Sequence, residues 1–154
     1  MKRFRNAFCL LILPVLALAG CGERGEVDLS SAPVAAIEQG VALMPAHCHT
    51  CHRVGESEID AMLAPPLWGV RAHYLAKFPE PEAFVDAMTN FLLEPQVEKS
   101  LLPLEVAHYG LKEPVSLTEE ELRSVAWAIY AGRVERPPWS REYRKHHRAC
   151  EASW

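Results

Sequence analysis

Basic residues are scarce in the body of this chain. Between residues 22 and 132 it carries seven Lys or Arg against seventeen Asp or Glu. The formal charge of −4 for all 154 residues becomes −7 once Lys2, Arg3 and Arg5 are set aside. A body that acidic is a poor partner for nucleic acid, whose phosphate backbone demands a basic face. Paired carboxylates and a nucleophile triad are also missing, which points away from hydrolytic chemistry. There is no internal repeat, and the length leaves room for one domain with a modest core. The apolar run Phe8–Ala19 is too short to cross a bilayer, which takes about 20 residues.

Cysteine is sparse as well, with five in the chain, yet two of them stand in Cys48-His49-Thr50-Cys51-His52. This is C-x-x-C-H, the spacing that attaches a c-type haem. Two thiols three positions apart lie on one side of a helical turn, so each can form a thioether to one vinyl group. The histidine after the second thiol then falls under the iron as its proximal ligand. Three other readings compete. A zinc site needs a second ligand pair, but no other C-x-x-C follows, and His73 and His108 stand alone. A redox dithiol belongs beside a β-α-β pattern, which is missing. A plain disulfide leaves His52 unexplained. The pentad therefore predicts one covalent haem c on Cys48, Cys51 and His52.

The N-terminus gives the compartment. Met1-Lys2-Arg3-Phe4-Arg5 is a positive n-region, Phe8–Ala19 an apolar one, and Leu18-Ala19-Gly20-Cys21 resembles a bacterial lipobox. The resemblance implies cleavage that removes residues 1–20 as a lipoprotein signal and leaves Cys21 lipidated, so the chain is anchored rather than spanning; the alternative is an ordinary signal peptide with a chance cysteine, which the small residues before Cys21 disfavour. Gly22, not Asp, follows the cysteine. The sorting rule for such lipoproteins then favours the outer membrane, if the host has one, with the domain in the periplasm. Cys9 departs with the signal, and Cys150 is left over.

Residues 21–32 read as a polar tether. A first helix is expected to start near Ser31 or Ala32, with Val34, Ile37, Val41 and Met44 at helical spacing and Pro45 ending or bending it. Ala64–Val70 reads as a proline-rich apolar loop. A second helix opens at Pro79-Glu80-Pro81-Glu82, presents Phe84, Met88, Phe91 and Leu92, and stops at Pro95. A third starts at the capping box Thr118-Glu119-Glu120-Glu121, presents Leu122, Val125, Ala126, Ile129 and Tyr130, and ends at Gly132. From residue 133 the charge reverses, with six basic residues against three acids up to residue 154. That stretch reads as a basic tail able to fold back or to reach a partner.

Together these features resemble a class I c-type cytochrome over residues 33–132. The resemblance implies a mostly α, small cytochrome c-like fold with helices packed around one covalently bound haem. It implies that the first helix crosses the last, a small residue facing an aromatic, for which Gly40 with Trp127 or Tyr130 is the match. Pro65-Pro66-Leu67-Trp68-Gly69 fits the family's P-x-L-x-G, where the carbonyl of the first proline accepts the proximal imidazole N–H. Pro65 is thus expected to orient His52, and Leu67 and Trp68 to wall the haem. The family also places Met-Pro before the last helix, as distal ligand. Here Lys112-Glu113-Pro114 holds that place, and Met44, Met62 and Met88 all lie elsewhere. Lys112 by position and His108 by chemistry are the distal candidates, with the preference to His108 because a lysine must first lose its proton. Met88 reads as core and Met62 as too close to the pentad.

The sequence thus points to one-electron transfer between redox protein partners by a lipid-anchored, exported monohaem cytochrome, a carrier rather than an enzyme. The missing Met-Pro keeps a second reading open, a haem protein whose open or weakly held distal site binds a small gas or anion as sensor or catalyst. A third is a subunit of a larger membrane redox complex, docked by the basic tail.

Overall fold

A computed structural model describes residues 27, 29–52 and 62–140. Among the described residues six α-helices and one 3₁₀ turn follow in order: α1 Val34–His47, α2 His49–His52, α3 Leu67–Lys77, α4 Pro81–Leu93, the 3₁₀ turn Val97–Lys99, α5 Pro103–Tyr109 and α6 Glu119–Tyr130. No strand occurs among the described residues, so the fold is mostly α. Cys9, Cys21 and Cys150, and with them the lipobox, the first part of the tether and most of the basic tail, lie outside the described residues.

The last helix, α6, is the centre of the fold. Its start is fixed locally: Thr118 Oγ1 accepts from the Glu121 N–H at 3.3 Å, and Glu121 Oε2 accepts from the Thr118 N–H at 2.8 Å. Its end is fixed locally too. Gly132 takes φ +74°, which costs a glycine little. Its N–H donates to Ile129 O and that of Arg133 to Ala128 O, both at 2.9 Å, closing a Schellman motif. Between these caps every residue from Ser124 to Tyr130 is buried, because α1 and α4 cover the helix and α3 touches it.

Gly40 lets α1 come close. A Cβ there would stand 2.0 Å from Ser124 O and 2.9 Å from Ala128 Cβ. The expected crossing of the first helix over the last is thus the one observed, with Ser124 backbone and Ala128 Cβ the nearest atoms to Gly40. On the other side, Arg123 of α6 reaches Glu82 at 2.9 Å and also Asp86, both on α4. The core then runs as linked rings: Trp127 edge-on to Tyr130 at 5.8 Å, Tyr130 to Phe84 at 5.2 Å, and Phe84 to Tyr74 at 5.6 Å. Each such pair adds about 0.5–1.5 kcal/mol beyond area burial.

Four boundaries differ from expectation. Pro33, not Ser31 or Ala32, is the N-cap of α1, and it offers no side-chain acceptor. Pro45 lies inside the last turn of α1, which continues to His47. The stretch read as a loop after Ala64 becomes helical at Leu67, because Pro66 serves as N-cap and its carbonyl accepts from Gly69 N at 2.8 Å and Val70 N at 3.1 Å. Pro103 likewise opens the short α5 as its first residue, where the missing N–H costs nothing.

The region counted as tail by charge also begins later than residue 133. Val134 packs against the core, and Pro137 and Ser140 are buried. The Arg136 guanidinium lies over the Trp68 ring at 5.3 Å, and its Nε donates to Ser140 Oγ at 3.2 Å. Residues 133–140 are thus part of the packed body.

Candidate functional site

The haem-type pentad falls at the end of α1. Cys48 is the C-cap, its N–H bonded to Met44 O at 2.8 Å. The chain then makes one further turn, α2, in which Cys51 N and His52 N both donate to Cys48 O, at 3.2 and 3.0 Å. The thiols of Cys48 and Cys51 are both free and half-buried. Burial, with the neighbouring Cys51 thiol adding to it, pushes the Cys48 thiol up to about 11.

Beside this turn opens an apolar cleft enclosing about 1100 Å³, its open mouth included. Cys48 and His52 line one part of it, with Pro65 and Leu67; α4, α5, α6 and the segments that join them supply most of the remaining wall, through residues such as Met88, Val106, Val115, Val125 and Ile129. Cys51 is not among the lining residues. The crossing of α1 over α6 at Gly40 is what carries Cys48 to the edge of this cleft.

His52 is held by Pro65. Its Nδ1 donates to the Pro65 carbonyl at 2.5 Å, which leaves the lone pair on Nε2. Desolvation holds the imidazole below its usual proton affinity. The Pro65 carbonyl works against this, and the charges of His49 and Lys112 work with it. His52 is therefore a neutral base with one nitrogen fixed and the other available. Among the described residues no group of three His, Cys, Asp or Glu could hold a metal ion.

The candidates for the opposite side separate by position. Lys112 lines the cleft in the segment between α5 and α6, exposed at its mouth, with Nζ donating to Tyr109 O at 2.6 Å. His108, preferred on chemistry, is exposed, packs edge-on to Tyr109 at 4.5 Å and is not in the lining. The reason is the rotation of α5, which turns Leu102, Glu105, Val106 and Tyr109 to the cleft and His108 away. Of the described methionines, Met88 alone lines the cleft; Met44 and Met62 are buried outside it.

Trp68 also departs from expectation. Leu67 lines the cleft as anticipated, but Trp68 is buried away from it, under Arg136. The residue that the sequence reading overlooked is Glu105, 5% exposed and in the cleft wall. No periodic signal could have marked it, because α5 has only seven residues.

None of the family models matches the chain, and neither a curated protein nor a solved structure is similar to it at a significant level. No described helix is long and apolar enough to cross a membrane.

Proposed function

We propose that the protein is an exported electron carrier, anchored by lipid at Cys21, that holds one haem c covalently through Cys48 and Cys51 and exchanges electrons with other redox proteins. The observation that carries this reading is the meeting of three features in one place. The C-x-x-C-H turn lies at the edge of a large apolar cleft, Cys48 and His52 both line it, and the Pro65 carbonyl orients the imidazole. The donor set fits the group: two free thiols at the required spacing, one neutral imidazole with an available nitrogen, and walls that are overwhelmingly apolar.

When bound, such a group supplies one-electron chemistry, its iron alternating between ferric and ferrous. The protein's own residues do the rest. His52 Nε2 would hold the iron, with the Pro65 carbonyl on Nδ1 keeping the ring from rotating. Met88, Leu67, Val125 and Ile129 exclude water from the cleft. Lys112, which lines the cleft with its Nζ on Tyr109 O, would be the second nitrogen donor able to hold the group. A nitrogen ligand in place of methionine gives a low potential.

Absorption spectra of the oxidised and reduced protein, with and without carbon monoxide, test the reading. A closed carrier is low-spin in both states and ignores carbon monoxide. Rapid carbon monoxide binding by the reduced protein would instead favour the open-site reading, a gas- or anion-binding haem protein.

A further inference from the structure

The hydrogen bond that orients His52 joins two parts of the chain that α6 places separately. His52 ends the turn that follows α1, and Gly40 lets α1 cross α6 at Ser124 and Ala128. Pro65 comes just before α3, and its carbonyl shares a peptide plane with the Pro66 nitrogen. The Pro66 ring locks its own φ, here −60°, and the Pro66 carbonyl accepts from the N–H groups of Gly69 and Val70. The direction of the Pro65 carbonyl is therefore fixed relative to the first turn of α3. Where it points in the molecule depends on how α3 sits against α6.

Arg71 is a polar tie between α3 and the end of α6. Trp127 O accepts from the Ala131 N–H, Ile129 O from that of Gly132, and Ala128 O from that of Arg133. Tyr130 O, the last carbonyl of the helix, accepts from Arg71 Nε at 3.0 Å. A cation at this end meets the negative pole of the helix. Arg71 is also half-buried, which strengthens a bond from a charged donor. Apolar contacts hold α3 as well, with Tyr74 against Phe84 at 5.6 Å and Trp68 under Arg136. Ring contacts tolerate sliding, whereas a hydrogen bond to a backbone carbonyl requires a set distance and angle.

We infer that Arg71 is the positioning residue of the site: by bonding α3 to the end of α6 it sets the Pro65 carbonyl on His52 Nδ1, and through it the direction of His52 Nε2. This deepens the haem reading above and takes its functional meaning from it. Both partners of the 2.5 Å bond between His52 and Pro65 are then referred to one helix, His52 through Gly40 and Pro65 through Arg71. An imidazole that loses the acceptor on its Nδ1–H is free to rotate and is a weaker donor to a metal.

The test is the solvent exchange of the His52 Nδ1 proton, read by NMR on the full chain carrying labelled histidine, reduced where haem is present. Arg71→Met keeps the aliphatic stem and loses the donors, and Arg71→Lys keeps a cation and a donor. Arg123→Met is the control, because it removes the tie from α6 to Glu82 and Asp86 on α4 without touching α3. The proton should exchange roughly tenfold faster or more in Arg71→Met, the ratio that loss of one hydrogen bond to a charged group corresponds to. Arg71→Lys should lie between that variant and wild type, and Arg123→Met at the wild-type rate. An Arg71→Met rate equal to wild type, or an equal acceleration in Arg123→Met, overturns the inference. Wild type alone gives a second check that needs no variant to fold. As urea rises below the unfolding transition, the Arg71 Nε and His52 Nδ1 protons should exchange through one opening, their rates rising in parallel; independent rates overturn the inference too. A full chain that carries no haem overturns the functional reading and leaves the proton exchange to decide this inference; haem present with an unchanged Arg71→Met rate overturns the inference alone.

Discussion

Replacing Gly40 by alanine is the sharpest probe of the helix crossing that brings the thiol pair to the cleft. The new Cβ would lie 2.0 Å from Ser124 O and 2.5 Å from Ser124 C. An ordinary carbon–oxygen contact needs roughly 3.3 Å, so α1 and α6 must separate by about 1.3 Å. The obstacle is backbone, which no rotamer change relieves. Overpacking costs about 1–3 kcal/mol, and a backbone obstacle belongs near 3. Alanine returns about 1 kcal/mol of helix propensity, leaving a net loss of about 2 kcal/mol. For a domain of this size the melting temperature should fall by roughly 10 °C. Thermal or urea unfolding followed by circular dichroism measures it, and the variant should also retain less cofactor because α1 carries Cys48. At an unobstructed helical site Gly→Ala stabilises by about 0.4–1 kcal/mol. A Gly40→Ala protein as stable as wild type would refute the crossing geometry.

Two further outcomes are expected. Lys112→Ala should turn the haem protein high-spin and open it to carbon monoxide, while His108→Ala leaves the spectrum low-spin; the reverse pattern, or a methionine-to-iron charge-transfer band, would move the ligand to His108 or Met88. In protein lacking the cofactor, the raised Cys48 thiol favours the folded state below about pH 9, and this contribution is lost as pH rises from 9 to about 11. Unfolding midpoints across that interval should fall in wild type and fall less in Cys48→Ser.

Much of the fold was legible because it is written in local signals. Thr118 with Glu121, Gly132, and Pro81 followed by Glu82 are cap chemistry, readable wherever they occur, and the structure puts helix ends at all of them. Prolines misled where their role depends on context. Pro65-Pro66 reads equally as loop or as the approach to a helix, and α3 starts immediately after. Gly40 marked the close approach of α1 to α6, and the atoms nearest to it are the Ser124 backbone and Ala128 Cβ. Charge alone assigned residues 133–140 to a tail, although Val134, Pro137 and Ser140 pack into the body.

The site divides the same way. The Pro65 to His52 hydrogen bond is the pair that the resemblance to the P-x-L-x-G pattern implied, and it is the one observed. Which residues of α5 meet the cleft does not follow, because seven residues carry no usable periodicity and tertiary packing sets the rotation. Imidazole chemistry therefore favoured His108, while the fold turned it outward and brought Glu105 in. Trp68 illustrates a related limit: a buried aromatic can face either of two apolar surfaces.

The central claim is a haem bound covalently by Cys48 and Cys51, and its direct measurement is haem retention by the exported full chain after acid-acetone extraction and denaturing electrophoresis. Wild type should keep a haem-staining band at its own mass, Cys51→Ser should lose one thioether and shift the pyridine haemochrome spectrum, and the double Cys48→Ser, Cys51→Ser variant should lose the band. A mature protein that contains zinc and no haem, or releases its haem on extraction, contradicts the account.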